Sequence, residues 1–162
     1  MLNSKRARMN CNLFPQTLES NYDLQFMCID DVIELSKVML NSLKDTSEDK
    51  GETLGDIIQE IDSVIGGSFA PFISDASYQI ILNGEIASAI MISYYKGYPL
   101  ISEIFTEKKF QNLGMASYLI KKSVNSLFNM DYKNLVLNVD IENLAAMNLY
   151  RKIGFEINKI IL

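Results

Sequence analysis

The spacing of hydrophobic residues changes twice in the first part of the chain. Residues 22–29 alternate between polar and apolar side chains, which is typical of a strand. Apolar residues then recur every three or four positions in residues 32–43 and 54–65, which predicts two amphipathic helices packed on a sheet. Asp30 or Asp31 stands where it can cap the first of these helices.

Three further strands are predicted in the middle of the chain. Residues 78–82 and 85–95 are rich in apolar side chains, and Asn83-Gly84 between them favours the positive φ angles of a type I′ hairpin turn. A second turn at Lys96-Gly97 leads into an apolar strand at residues 100–106. We therefore expect three consecutive antiparallel strands.

The last part of the chain alternates between helices and strands. A periodic helix at residues 115–128 and a final helix at 143–153 flank a short strand at 135–139, and residues 155–162 read as a last strand. The strand at 135–139 is apolar on both faces, and a helical crossover makes it parallel to the strand before it. The order β-α-α-β-β-β-α-β-α-β predicts an α/β fold with a mixed central sheet flanked by helices.

The start of the chain shows no such pattern. Residues 1–21 are polar, include Arg6, Arg8 and Pro15, and have no clear hydrophobic period, which predicts an N-terminal arm that is partly disordered. Residues 22–162 are then expected to form one domain, because a chain of 162 residues with 48% hydrophobic side chains suits one core.

Composition excludes several kinds of chemistry. The chain has no histidine, and Cys11 and Cys28 lack the spacing of a zinc site, so we expect no metal. Hydrolases that rely on an imidazole base are excluded on the same ground. Acid–base chemistry must therefore use carboxylates, phenols, amines or water.

One loop has the features of an anion-binding site. The segment Gln111-Asn112-Leu113-Gly114-Met115-Ala116 places its glycine at the start of the helix at residues 115–128. The first amides of a helix lack intrahelical partners and lie at the positive end of its dipole, and small residues let a ligand approach them. The loop therefore predicts a phosphate site, although Gly114 alternatively only relaxes a tight connection between strand and helix.

A second motif makes the interpretation specific. Residues 143–155 read N-x-x-A-x-x-L-Y-x-x-x-G-F, and they follow the Q-x-x-G-x-A of the loop by about thirty residues. Together the two motifs resemble those of the GNAT superfamily of acetyl-CoA-dependent N-acetyltransferases, over residues 100–155. The order of predicted elements is also that of the GNAT fold.

The resemblance implies acetyl-CoA as co-substrate and assigns residues to it. The strand before the loop would splay from its neighbour and pair its backbone with the pantetheine arm, and the loop amides would hold the pyrophosphate. The implied cofactor-binding residues are Ile104, Phe105, Thr106, Gln111, Asn112, Leu113, Gly114, Met115, Ala116, Ser117 and Asn143. Asn143 is also expected to cap the last helix.

The resemblance further implies transfer of an acetyl group to a primary amine by direct attack in a ternary complex. Tyr150 would be the general acid that protonates the departing CoA thiolate. Some relatives have a glutamate where this chain has Asn138, which cannot accept a proton. The base is therefore either Glu103, the nearest carboxylate on the preceding strand, or an ordered water.

The charge distribution bears on the partners. A net charge of −5 argues against nucleic acid, because a phosphate backbone requires a basic face. Residues 30–62 hold ten acids and three lysines, whereas eight bases and six acids follow from Glu103 onward. This asymmetry suits a cationic small molecule or a peptide amine on one side and a phosphorylated cofactor on the other, although solvated helix faces would also produce it. No apolar run is long enough to span a membrane and no leader pattern is present, which predicts a cytoplasmic protein.

The C-terminus is short for this family. Relatives usually continue past the Gly-Phe pair to a second strand, whereas seven residues follow Phe155 here, so we expect an uncovered sheet edge that favours a homodimer. The chief alternative function is a non-catalytic acyl-CoA-binding module on the same fold, suggested by Asn138 and the short C-terminus. A third alternative is an interaction domain without a ligand.

Overall fold

Seven strands form one mixed sheet in the computed structural model, which describes residues 5–161. The strands are β1 (Arg6–Asn12), β2 (Asp23–Phe26), β3 (Tyr78–Leu82), β4 (Glu85–Tyr95), β5 (Tyr98–Thr106), β6 (Asn134–Asp140) and β7 (Glu156–Ile161). The helices are α1 (Val32–Leu43), α2 (Leu54–Ile65), α3 (Met115–Asn129) and α4 (Leu144–Ile153). Residues 1–4 of the predicted arm and residue 162 of the predicted last strand lie outside the described residues.

The strands lie in the order β2-β3-β4-β5-β6-β1-β7. Strands β2 to β5 are antiparallel to their neighbours, β5 and β6 are parallel, and β6, β1 and β7 are again antiparallel. The predicted mixed sheet and the parallel crossover through α3 are therefore confirmed. Asn83 and Gly84 have φ angles of 52° and 76°, as the predicted type I′ turn requires.

Strand β1 is the main difference from the predicted fold. The prediction of an arm without regular structure was wrong for residues 6–12, which lie between β6 and β7 and pair with both. Ala7, Met9 and Cys11 are buried, whereas Arg6 and Arg8 on the other face are partly exposed. The alternation is real, but the apolar residues of β1 are small or flexible and alternate with arginines and asparagines, which gives a weak strand signal.

The same strand changes the expectation for the C-terminus. We expected the C-terminal half of the sheet to have an uncovered edge. Strand β1 instead lies between β6 and β7 and pairs with both. The outer strand of this half is β7. A missing strand therefore no longer supports a homodimer, and the homodimer stays a prediction.

The helix starts match the sequence unequally. Helix α2 begins with an unpredicted capping box, in which the Thr53 side chain accepts from the Asp56 amide and the Asp56 side chain from the Thr53 amide. Helix α1 follows a short 3-10 turn at Ile29–Asp31, and Asp31 makes no capping bond. The Asp31 carboxylate instead accepts a hydrogen bond from Gln79 Nε2 at 3.0 Å. The prediction of an aspartate cap at α1 was therefore wrong.

Two hydrophobic cores lie on the two faces of the sheet. Helices α1 and α2 pack on Ala89, Met91 and Phe105, which defines the α2 face. Helices α3 and α4 pack on the opposite face with the buried side of β1, which defines the α3 face. Strand β5 contributes to both cores, and it therefore connects the two halves of the molecule.

Met9 tests whether β1 belongs to the folded sheet. Met9 is 0% exposed in the core of the α3 face, so Met9→Ala should lower the free energy of unfolding by about 2–5 kcal/mol through lost burial and a residual cavity. Urea unfolding with a constant m-value measures the change. Phe14→Ala is the control, because Phe14 is 65% exposed and its loss should cost less than about 0.5 kcal/mol. Equal, small effects of the two substitutions would contradict the position of β1.

Candidate active site

A cleft opens where β5 and β6 separate. The two strands pair only at Leu100 and Val136. Beyond that point a cleft of about 640 Å³ lies between residues 101–106 of β5 and residues 137–139 of β6. A β-bulge stands at the branching point, since Ile101 and Glu103 oppose consecutive residues of β4 and Ser102 is the extra residue. Bulges bend a strand and increase its twist, which turns β5 away from β6.

The cleft brings together the predicted residues of the strand, the loop start and the last helix. Residues that line it are Glu103, Ile104, Phe105, Thr106, Gln111, Asn143 and Tyr150. Gln111 lies at its edge and donates from Nε2 to the Thr106 carbonyl at 3.2 Å. The other predicted residues, Asn112, Leu113, Gly114, Met115, Ala116 and Ser117, do not line the cleft and continue from Gln111 into α3.

The start of α3 has the geometry of an anion site. Gly114 precedes the helix with a φ of 82°, and no side chain caps the helix there. The first helical bond runs from the Tyr118 amide to the Gly114 carbonyl at 3.0 Å, so the amides of residues 115–117 have no intrahelical acceptor. The Met115 side chain is 1% exposed in the core, and it therefore offers a ligand only its backbone.

Residues before β2 hold this loop in place, which the sequence did not indicate. The Tyr22 hydroxyl donates to the Leu113 carbonyl, and its ring packs edge-on against Tyr118 at 5.3 Å. Ser20 and Gly114 also line a small cavity of about 70 Å³. The loop is thus anchored from outside the helix that it begins.

Tyr150 lies at the α4 wall of the cleft and is only 9% exposed. Burial raises the pKa of its phenol to about 12, with a further upward contribution from the negative charge of Glu48 and an opposing one from Arg6. The phenol is therefore protonated at neutral pH. Its ring packs against Phe155 of the same motif, with centroids 6.0 Å apart.

Glu103 points into the cleft from β5. It lies opposite Met91, whose side chain is in the core of the α2 face, so Glu103 is turned toward α2. Burial raises its pKa well above the ordinary value, and the nearby charges of Glu60 and Glu48 act in the same direction. The pKa of Glu60 is also raised, chiefly by burial. The two carboxyl groups therefore form a coupled pair, in which ionisation of Glu60 disfavours ionisation of Glu103.

Several residues around the site were missed from the sequence. Glu48, Glu60 and Glu142 come from the loop after α1, from α2 and from the start of the α4 segment, and Arg6 comes from β1. Glu60 is separated by helical spacing from buried Ile57 and Val64, which was the one available signal. Arg6 gave no signal, because its position depends on the pairing of β1.

Two asparagines have defined structural roles. The Asn143 side chain accepts from the Ala146 amide at 3.2 Å, so the predicted cap of α4 is confirmed. The Asn138 side-chain oxygen accepts a hydrogen bond from Arg8 Nε at 3.1 Å. The Asn138 backbone carbonyl accepts one from Arg6 Nη2 at 3.3 Å. Asn138 therefore orients the arginines of β1.

Within residues 5–161 no group of three or more His, Cys, Asp or Glu side chains is arranged to hold a metal ion. Among the helices in the same part of the chain, none is long and apolar enough to cross a membrane.

Comparison with known proteins identifies the family. A family model described as the acetyltransferase (GNAT) family matches residues 43–155. This match spans more than half of the chain, which therefore belongs to the GNAT family of acyl-CoA-dependent N-acyltransferases. The family that the sequence motifs suggested is confirmed. No curated protein matches the chain.

Solved structures share the fold at low sequence identity. A GCN5-related N-acetyltransferase from Sphaerobacter thermophilus has a TM-score of 0.74 at 12% identity, over 96% of this chain and 49% of that one. AAC(6')-Iy, solved with the bisubstrate analog CoA-S-monomethyl-acetylneamine, has a TM-score of 0.67 at 14% identity, over 88% and 96%. The PaiA N-acetyltransferase from Thermoplasma acidophilum, solved with coenzyme A, has a TM-score of 0.66 at 13% identity, over 85% and 91%.

Several matching structures belong to much longer chains. The present chain spans 49% of the Sphaerobacter thermophilus protein, and 61% and 53% of GNAT-family proteins from Novosphingobium aromaticivorans and Colwellia psychrerythraea. At these identities the similarity shows the fold alone.

The raised pKa of Glu103 predicts a pH-dependent stability. In the unfolded chain a glutamate titrates near about 4.3, so between that pH and the higher folded-state pKa the folded protein holds a proton that the unfolded chain has lost. The free energy of unfolding should therefore fall as pH rises through this window. Glu103→Gln should flatten the fall and increase stability most at the upper end, as measured by urea unfolding between about pH 5 and 8.

Exposed Glu34 supplies the control for this measurement. Its side chain is 64% exposed in a surface pair with Lys37, and Glu34→Gln should leave the slope against pH unchanged. Parallel stability curves for wild type and Glu103→Gln would show that Glu103 titrates normally.

Proposed function

We propose that this chain transfers the acetyl group of acetyl-CoA to a primary amine by direct attack in a ternary complex. The observation that carries the proposal is the cleft, where the unpaired edge of β5, a proton acceptor at Glu103 and a protonated phenol at Tyr150 line one space. The acceptor is a small molecule or a peptide. The proposal includes no metal ion and a cytoplasmic location, both of which rest on the sequence alone.

The cofactor would lie along the separation of β5 and β6. Ile104, Phe105 and Thr106 line the gap. Backbone groups of Ile104 and Thr106 would pair with the pantetheine amides as an added strand does, whereas the Phe105 carbonyl accepts from Ser88 Oγ of β4 at 2.9 Å. The pyrophosphate would accept hydrogen bonds from the amides at the start of α3, where the helix dipole favours negative charge. Gln111 would contact the pantetheine arm from the side of the loop, and Asn143 would contact it from the side of α4.

The proposed reaction needs no covalent enzyme intermediate. The amine nitrogen attacks the thioester carbon, a C–N bond forms, and the C–S bond breaks with both electrons leaving on sulfur. Glu103, directly or through a water, takes the proton that the amine loses. The Tyr150 phenol gives its proton to the sulfur, and with a pKa of about 12 the phenol holds that proton at neutral pH.

Ser117 tests the pyrophosphate site without straining the backbone, which any substitution of Gly114 would do at a φ of 82°. Ser117→Glu adds a carboxylate in the first turn of α3, where it suits the helix dipole but repels a phosphate. Acetyl-CoA affinity should fall at least about tenfold, or about 1.4 kcal/mol, by calorimetry.

Ser117→Gln is the matched control. It has nearly the same volume as the glutamate and lacks its charge, so it should retain most of the affinity. If the two variants bind acetyl-CoA equally, the pyrophosphate does not lie at this helix start.

Tyr150 tests the catalytic proposal. Thiol release from acetyl-CoA with a panel of amines should identify an acceptor, and Tyr150→Phe should then lower kcat on the order of 10²-fold while acetyl-CoA affinity stays constant. Phenylalanine keeps the packing on Phe155 and removes only the proton donor. Tyr132→Phe is the control, since Tyr132 packs near Tyr94 and does not line the cleft.

The alternatives give different outcomes. Full kcat in Tyr150→Phe, with chemistry rate-limiting, would assign the tyrosine to packing and the proton to water. Binding of acetyl-CoA without turnover of any amine would favour the non-catalytic binding module. Absence of acetyl-CoA binding would favour an interaction domain without a ligand.

A further inference from the structure

Arg6 is a charged residue of the cleft to which the proposed chemistry gives no role. It is the only lysine or arginine among the described residues that line the cleft. It also lines a neighbouring cavity of about 330 Å³ below α2, here called the α2 cavity, which Glu60, Ser63 and Phe69 line from the helix side. Arg6 therefore lies where the two spaces meet.

The Arg6 guanidinium has donors to spare. One of them bonds to the Asn138 carbonyl at 3.3 Å, and within residues 5–161 no carboxylate lies within 4.0 Å to form an ion pair with it. A guanidinium carries five N–H donors in a planar fork that matches a carboxylate. The adjacent Arg8 differs, because it bonds to Asn138 and to the Tyr98 hydroxyl at 2.8 Å and lines neither space.

Opposite charges line the same junction. Arg6 comes from β1 beside β6, whereas Glu103 comes from β5 and Glu60 from α2. Burial raises the pKa of both carboxyl groups, and the charge of Glu60 raises that of Glu103 further. The junction therefore offers acidic groups on one side and a guanidinium on the other.

We propose that Arg6 binds a carboxylate of the acceptor, and that the acceptor class is an amine that carries a carboxylate near it, as an α-amino acid does. This inference rests on the proposed acetyl transfer. The amine would lie at Glu103 and the acid at Arg6, so both charges of a zwitterion are matched. An acceptor with several positive groups and no carboxylate would place one of them against Arg6, which disfavours such molecules among the cationic acceptors that the acidic sequence suggested.

The test compares α-amino acids with their own α-amides, which differ only in the carboxylate. Each pair is titrated by calorimetry into protein saturated with CoA, the product, so that no reaction is needed. Wild type should bind at least one acid about tenfold or more tightly than its amide. Arg6→Gln should bind acid and amide alike, Arg6→Lys should keep part of the preference, and Arg8→Gln should keep all of it once urea unfolding shows both variants folded.

Each result decides the inference. A wild type that does not prefer any acid, or a preference that survives Arg6→Gln, overturns it. So does an Arg6→Gln variant that loses CoA affinity or weakens acid and amide equally, because Arg6 would then act on the cofactor or on the fold. Acid preference without acetyl transfer supports the carboxylate site and removes the proposed function, whereas transfer to amines without acid preference does the reverse.

Discussion

The site depends on the separation of β5 from β6. These parallel neighbours pair at Leu100 and Val136 alone, and past that point each backbone has groups that its neighbour does not satisfy. The Ser102 bulge fixes where the separation begins, and the packed faces on either side keep the gap from closing. A gap of this kind is stable in water because solvent satisfies the groups that a bound ligand would otherwise satisfy. Binding there needs little rearrangement of the protein.

The ionisable groups around the gap are tuned by burial more than by ion pairing. Desolvation is the leading cause of the raised pKa of both Glu103 and Tyr150. Both are therefore held in their neutral forms over a wider pH range than in water, although they act in opposite directions in the proposed reaction. Arg6 opposes both effects, because a nearby positive charge favours the anionic form of either group.

Local patterns predicted most of the elements, whereas contacts between distant segments escaped them. The Asn83-Gly84 turn, helix α2 and the Asn143 cap were recognisable because each depends on a few adjacent residues. Tyr150 and Gln111, which the family motifs indicated, both line the cleft, and their roles stay predictions. Strand β1 depends on residues at the other end of the chain, and with it Arg6 was missed. Glu48 was missed because the shape of the α1–α2 connection decides whether its side chain faces solvent or the cleft. Glu60 was missed because helical spacing places it near the buried face of α2 without showing that a cavity lies there.

The position of β1 has a consequence for how the protein is made. Arg6 and Asn138 are 132 residues apart, and both strands that pair with β1 follow α3. During synthesis on the ribosome, β1 is made long before residues 134–161, which include both of its partner strands. Closing such a long loop slows folding, and until then the buried face of β1 is exposed. The composition of β1 suits this delay. Its two arginines interrupt the apolar residues and disfavour pairing of the still unpaired strand with other nascent chains.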